Sequence, residues 1–101
     1  MLGVVETGRL RIDLAARTVS YDRRPVALGA TEFRLLEFLA RNAGIALSRA
    51  QIVDRIWDYD FEGSSNIVDV YVSQLRRKLK ALGASNVIET VWSIGYRLRP
   101  S

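Results

Sequence analysis

The chain has 101 residues, of which 49% are hydrophobic, and a formal net charge of +4. This size predicts one domain with a modest core, and the charge is compatible with a polyanionic partner. Cysteine and histidine are both absent, so disulfides and thiolate metal sites are excluded and the commonest general base is missing. We expect no cofactor, no metal and, because no apolar run approaches about 18 residues, no membrane span. The cysteine usage suits a reducing cytoplasm, and the first residues lack a secretory signal.

Short strands are predicted in the amino-terminal third of the chain. Leu10, Ile12 and Leu14 alternate with polar residues, which is typical of a half-buried strand. A second strand is expected at residues 17–21, and a third at residues 26–28 after a turn that contains proline. We expect these strands to form an antiparallel meander.

The middle of the chain predicts two helices. The first is expected to begin with Thr31 as its N-cap and to end near Gly44, which suits a left-handed position. Its buried stripe consists of Phe33, Leu36, Leu39 and Ala40, with Leu35 or Phe38 at the margin. Ser48 and Gln51 have the spacing of a capping box, which predicts a second helix that runs to about Trp57.

Residues 66–80 predict a third helix with two unlike faces. Its apolar stripe consists of Val68, Val72, Leu75 and Leu79, at the spacing of one helix face. The opposite face carries Asn66, Val70, Ser73, Gln74 and Arg77, with Tyr71 and Lys78 on its flanks, and Arg76 and Lys80 add positive charge near the end. Such a helix, about 22 Å long, fits a B-DNA major groove about 12 Å wide. Alternatively, its cations merely complement the helix dipole on an ordinary surface helix.

The last part of the chain predicts a β-hairpin. Residues 87–91 and 96–99 are strand-like, and Gly95 between them is available for a positive φ. Arg97 and Arg99 occupy alternate positions of the second strand. They fit contact with DNA in a groove next to the third helix, but they also fit an ordinary solvated strand face.

Four segments at matching spacing carry a family resemblance: LGATEFRLLEFLARNAG, LSRAQIVDRIWDYDF, NIVDVYVSQLRRKL and IETVWSIGYRL. Together they resemble the winged-helix effector domain of OmpR/PhoB-type response regulators, over nearly the whole chain from Gly8 to Leu98. The resemblance implies an α+β fold: a winged helix-turn-helix with an amino-terminal antiparallel β-sheet, three helices and a carboxy-terminal β-hairpin wing. It also implies sequence-specific binding of double-stranded DNA for transcriptional control in a two-component phosphorelay, and no enzymatic activity.

The resemblance also implies partners. Members of this family carry an amino-terminal receiver domain that a sensor kinase phosphorylates on aspartate. Residues 1–7 are too few to contain one, so we expect an isolated output domain, with a linker or lead-in at residues 1–7 and the winged-helix domain at residues 8–101. The family binds direct repeats head-to-tail, and we expect the isolated domain to be monomeric.

The resemblance assigns roles on the third helix and the wing. Base reading falls to Val70, Ser73 and Gln74, of which Val70 suits a thymine methyl and Gln74 an adenine edge. Contacts with the DNA backbone fall to Trp57, Asn66, Tyr71, Arg76, Arg77 and Tyr96, and the wing residues are Thr90, Trp92 and Arg97. Trp57 and Tyr96 can donate hydrogen bonds to phosphate. The alternative for each of these rings is a partly buried packing role.

Two positions depart from the family pattern. Many relatives have an arginine at the position of Gln74. They commonly have a second arginine, inserted into the minor groove, at the position of Trp92. Tryptophan cannot supply the cationic attraction of a narrow minor groove. Sugar contact, an apolar wedge and packing on the hairpin are the alternatives for Trp92, and we expect packing or sugar contact. Both departures remove charge, so we expect lower affinity or a different preferred sequence.

Residues 58–65 predict a polar, acidic loop before the third helix. By resemblance this segment can contact RNA polymerase, and Tyr59, Asp60, Phe61 and Glu62 suit a protein partner because carboxylates repel phosphate. The alternative is that Phe61 folds inward and the acids are solvated. A second class of function also stays open, a winged-helix protein-interaction module without DNA readout.

Overall fold

A sheet, three helices and a hairpin follow one another in the computed structural model, which describes residues 3–57, 63 and 66–100. In chain order the elements are β1 (Val4–Thr7), β2 (Leu10–Asp13), β3 (Thr18–Tyr21), β4 (Arg24–Val26), α1 (Ala30–Arg41), β5 (Leu47–Ser48), α2 (Arg49–Ile56), α3 (Asn66–Lys80), β6 (Ile88–Val91) and β7 (Gly95–Leu98). This order confirms the predicted α+β winged helix-turn-helix. Within the described ranges, no helix is long and apolar enough to cross a bilayer.

The first sheet consists of β1 to β4 in sequence order, each strand antiparallel to the next. One apolar residue from each strand stands in a continuous cross-strand row: Val5, Ile12, Val19 and Val26. Ile12 and Val19 are buried in the core, and Val5 and Val26 pack against it. Because side chains alternate between the two faces of a strand, this row commits one face of the sheet to the core.

The prediction of a linker or lead-in at residues 1–7 is wrong where the chain is described, because β1 occupies most of that segment. Val5 lies opposite Ile12, and the whole of β1 pairs with β2. Sheet pairing therefore orders the segment, although its own sequence is too short to reveal a periodic pattern.

The third predicted strand, at residues 26–28, lies instead two residues earlier, as β4. Asp22 and Arg23 have positive φ angles of 50° and 69°, and they connect β3 to β4 as a two-residue hairpin turn. Such a turn pairs the residues on either side of it at once, so β4 begins directly after Arg23.

Helix α1 begins two residues earlier than predicted, with Gly29 rather than Thr31 as its N-cap. Glu32 explains the shift, because its Oε1 accepts a hydrogen bond from the Gly29 N–H at 2.8 Å, the glutamate half of a capping box. At the other end Gly44 has the predicted left-handed backbone, with a φ of 87°. The predicted capping box of α2 is confirmed, since the Gln51 N–H donates to Ser48 Oγ at 3.0 Å and the Ser48 N–H donates to Gln51 Oε1 at 2.8 Å.

The second sheet contains a strand that the sequence does not predict. β5 pairs with β7, so the sheet has the order β5-β7-β6, and Leu47 lies opposite Tyr96. The prediction of a positive φ at Gly95 is wrong, because Ser93 takes that conformation instead, with a φ of 68°. Gly95 is required for a different reason: a Cβ atom there would collide with the Leu47 carbonyl oxygen.

Helix α3 buries its apolar stripe as predicted. Val68, Val72, Leu75 and Leu79 are each at most 1% exposed, in one core with the first sheet and α1. This burial fixes the rotation of α3 about its axis, because a helix with one stripe in the core must direct the opposite face outward.

Candidate nucleic-acid interface

The polar side of α3 is left uncovered. Val70 is 49% exposed, Asn66, Ser73 and Arg77 are exposed, and Gln74 is half-buried. The three residues predicted to read bases therefore lie on the accessible side of a helix of 15 residues, about 22 Å long. The arrangement can present side-chain donors, acceptors and an apolar contact to the edges of base pairs in a major groove.

The cations at the end of α3 have different surroundings. Arg77 and Lys80 are exposed, whereas Lys78 Nζ pairs with Glu32 Oε1 at 2.6 Å and donates to the Ala27 carbonyl at 3.0 Å. Burial raises the pKa of Glu32, but hydrogen bonds from Lys78 and the Gly29 N–H outweigh it, so the pKa lies below its ordinary value. Lys78 thus fastens α3 to the start of α1, and Arg77 and Lys80 remain facing solvent.

Arg76, which the resemblance makes a backbone contact, lies against the wing. Its Nε and Nη2 donate to the Ile88 carbonyl at 3.1 and 2.8 Å. Nη2 also donates to Thr90 Oγ1 at 2.9 Å. The side chain therefore joins α3 to β6. The hydroxyl of Thr90, one of the predicted wing residues, accepts one of its hydrogen bonds.

Tyr96 has the packing role that the sequence left open. It is only 5% exposed, and its hydroxyl donates to Asp69 Oδ1 on α3. The guanidinium groups of Arg49 and Arg76 lie 5.3 and 5.5 Å from the centre of its ring, within the range of cation–π attraction. The hydroxyl is engaged inside the protein, so the predicted hydrogen bond from Tyr96 to phosphate, which stays a prediction, would require the hydroxyl to leave Asp69.

Asp69 is the centre of this group of side chains. Arg49 Nε lies 2.9 Å from Asp69 Oδ1. Burial raises the pKa of Asp69, but the hydrogen bonds from Tyr96 and Arg49 outweigh it and leave the pKa below its ordinary value. Burial and the hydrogen bond to Asp69 raise the pKa of Tyr96. These interactions keep the Asp69 carboxylate charged and the Tyr96 phenol neutral. Together they hold β7 against α2 and α3.

Sequence reasoning missed Arg49 and Asp69. Asp69 in the first turn of α3 and Arg49 in the first turn of α2 are visible in the sequence as ordinary helix-terminal charges. Their pairing spans 20 residues, so only the packing of α2 against α3 brings them together.

Trp57 and Tyr71 form an aromatic pair beside the outward face of α3. Trp57 is the C-cap residue of α2, and the two rings meet edge to face at 5.4 Å with an angle of 61°. Both are half-buried, in agreement with a packing role that still leaves part of each ring accessible. Edge-to-face contact is a favourable geometry for aromatic rings, and it orders this end of the surface.

The tip of the wing corrects the expectation for Trp92. Packing on the hairpin is wrong, because the side chain is 87% exposed. In the strands, Arg97 Nε pairs with Glu89 Oε1 at 3.1 Å, and Arg99 lies 3.8 Å from the same carboxylate. The wing thus combines an apolar tip with cations that an internal carboxylate partly neutralises. The predicted polymerase-contact residues, Tyr59, Asp60, Phe61 and Glu62, lie outside the described residues.

Three helices with a hairpin wing joined to the third helix define a winged helix-turn-helix domain. The family model for "Transcriptional regulatory protein, C terminal" matches residues 23–98. The chain therefore belongs to this family of transcriptional regulatory domains. The predicted membership of the OmpR/PhoB-type effector domains is confirmed.

Curated relatives and solved structures agree with this assignment. The chain is 49% identical over 96 residues to transcriptional regulatory protein TrcR of Mycobacterium tuberculosis, covering 95% of this chain and 37% of TrcR. It is 42% identical over 97 residues to sensory transduction protein RegX3 of Mycobacterium leprae, covering 95% of this chain and 49% of RegX3. The chain thus spans less than half the length of these relatives.

Two solved structures share the fold. One is the DNA-binding domain of RstA from Klebsiella pneumoniae in complex with the RstA box, with a TM-score of 0.85, 31% identity and coverage of 97% of this chain and 98% of that chain. The other is the response regulator DrrB of Thermotoga maritima, an OmpR/PhoB homolog, with a TM-score of 0.84 and 28% identity. The match covers 96% of this chain and 44% of DrrB.

Proposed function

We propose that this domain binds double-stranded DNA sequence-specifically and so controls transcription, as the output domain of a two-component response regulator in the cytoplasm. The uncovered polar side of α3 is the observation that carries the proposal, because such a face can enter a major groove. Family membership supports it. So does the likeness to the RstA domain, a protein whose structure contains its own DNA site.

The roles divide along α3. Val70, Ser73 and Gln74 read base edges: Val70 contacts a thymine methyl, and Gln74 pairs with adenine N6 and N7. Contacts with the DNA backbone come from Trp57, Asn66, Tyr71 and Arg77. Arg76 and Tyr96 act indirectly, by holding the wing beside α3, because their polar atoms face Ile88, Thr90 and Asp69.

Further partners are proposed for the full-length protein. The chain covers 37% of TrcR and 49% of RegX3, which leaves room in a protein of that length for a receiver domain. The partner of that receiver domain is a separate sensor kinase. The isolated domain is a monomer that occupies direct repeats in two copies, and residues 59–62 contact RNA polymerase.

The test is titration of a labelled duplex, selected from a random pool by the wild-type protein, at several salt concentrations. Log affinity should fall linearly with log salt, with a slope of about −0.9 for each phosphate contacted. Gln74→Ala should lower the binding free energy by about 1–3 kcal/mol on the selected site and change it little on other sites. Equal weakening on every duplex would remove Gln74 from base reading. Absence of binding to any duplex would refute the proposal and favour a protein-interaction module.

A further inference from the structure

Two large apolar side chains stand exposed at the tip of the wing. Trp92 is 87% exposed and Ile94 49%, on either side of Ser93, and residues 91–95 carry no charge. An aromatic side chain that packs buries about 150–250 Å², and almost all of that area on Trp92 faces water. Adjacent apolar groups left exposed in this way indicate a binding surface.

The tip is held in a fixed position relative to α3. Arg76 hydrogen-bonds the Ile88 carbonyl and Thr90 Oγ1 on the strand that leads into the tip. Gly95 on the strand that leads out lies against the Leu47 carbonyl so closely that no Cβ fits. The apolar surface is therefore preorganised, on a hairpin that Arg76 joins to α3.

The charges of the wing indicate which part of a duplex the tip would meet. Glu89 pairs with Arg97 at 3.1 Å and lies 3.8 Å from Arg99, which weakens the attraction of the wing strands for phosphate. An uncharged tip gains the most binding free energy where sugars and base edges, rather than phosphates, form the surface of the DNA. In a duplex that surface is the interior of a groove, and apolar wedges are characteristic of the minor groove.

We propose that Trp92, flanked by Ile94, enters the minor groove beside the α3 site as an apolar wedge that opens a base step and bends the duplex. This inference rests on the proposed function and specifies the DNA that the site prefers. Pyrimidine–purine steps unstack easily, whereas A-tracts are stiff. The wing therefore selects a deformable step without making a hydrogen bond to a base.

Trp92→Ala tests the wedge, with Trp92→Phe as the matched variant that keeps an aromatic ring. On the selected duplex with a dye at each end, Trp92→Ala should lower affinity about tenfold and return energy transfer between the dyes to the value of free DNA. Trp92→Phe should retain most of both properties. The salt slope should stay at the wild-type value because no charge is removed, and thermal stability should stay unchanged because the side chain is exposed.

The DNA provides an independent arm of the same test. Replacing the base step under the wing by a stiff A-tract should weaken DNA binding by the wild-type protein and leave binding by Trp92→Ala unchanged. A Trp92→Ala variant that binds and bends the selected duplex like the wild type would overturn the inference while the proposed function stands. Failure of the wild type to bind any duplex would overturn both. A wild-type dimer in sedimentation without DNA, absent in Trp92→Ala, would assign the tip to a second copy of the chain instead.

Discussion

The outward face of α3 and the wing both contain several cations, but the surroundings of these cations differ. On α3, Arg77 and Lys80 face solvent, whereas in the wing Arg97 and Arg99 both lie near Glu89. Glu89 and Arg97 are direct cross-strand partners, and such partners have Cβ atoms only about 5 Å apart. Counting cations along a sequence therefore overstates the charge that a hairpin can offer to DNA.

The two regions consequently suit different kinds of recognition. The face of α3 offers hydrogen-bonding groups and cations, which give base contacts and a dependence on salt. The wing offers an apolar tip on a hairpin whose two arginines are partly neutralised by Glu89, and the contact of the tip itself depends little on salt.

The largest effect is expected from the buried side of α3. Leu75 is fully buried, so Leu75→Ala should lower the free energy of unfolding by about 2–5 kcal/mol. Ser73→Ala on the exposed side should change it by no more than about 0.5 kcal/mol, yet alter DNA binding. Urea denaturation and duplex titration of both variants provide the measurement. Equal destabilisation by the two variants would mean that α3 is rotated from the position described.

The attachment of the wing to β5 should be the next most sensitive feature. Gly95→Ala places a Cβ atom against the Leu47 carbonyl, and relieving the collision should cost about 1–3 kcal/mol of folding stability. Gly3→Ala is the matched control, since no atom lies within 4 Å of a Cβ there. Denaturation curves that coincide for Gly95→Ala and the wild type would show that β5 can move away without cost.

Adjacent arginines on α3 should behave differently. Arg76→Ala leaves the Ile88 carbonyl without its two hydrogen bonds, and we expect a loss of stability of about 1–3 kcal/mol. Arg77→Ala should leave stability within about 0.5 kcal/mol of the wild type and reduce the salt slope of DNA binding by about one unit. A reduced slope without destabilisation in Arg76→Ala would restore the phosphate contact that the family resemblance implies.

The smallest effect should appear as a dependence of stability on pH. Hydrogen bonds from Tyr96 and Arg49 outweigh burial and lower the folded pKa of Asp69. Its stabilising contribution is therefore present above the ordinary aspartate pKa of about 4 and is lost as pH falls through the folded pKa. Asp69→Asn should be less stable than the wild type at neutral pH and should lose less stability on acidification. Urea unfolding from neutral to acidic pH measures this, and parallel curves for the two proteins would remove Asp69 from the network.

Local spacing predicted much of the fold. The buried stripe of α3, the capping box of Ser48 and Gln51 and the left-handed Gly44 all depend on residues within a few positions of one another. The order of the four resembling segments predicted the winged-helix arrangement as a whole. Local rules were less reliable at Thr31, where Glu32 moved the helix start to Gly29 by accepting its N–H.

The sequence by itself therefore determined the helices, the terminal hairpin and both the buried stripe and the uncovered side of α3, because helix periodicity and caps are short-range properties. The strands β1 and β5 depended on sheet pairing with other segments. Tertiary structure alone decided that Tyr96 bonds to Asp69, that Arg76 holds β6 and that Trp92 projects into solvent. The first two pairings join residues 27 and 12 positions apart in the chain. Which of several possible partners a cation or a hydroxyl takes depends on how distant elements pack, and no spacing along the chain encodes that choice.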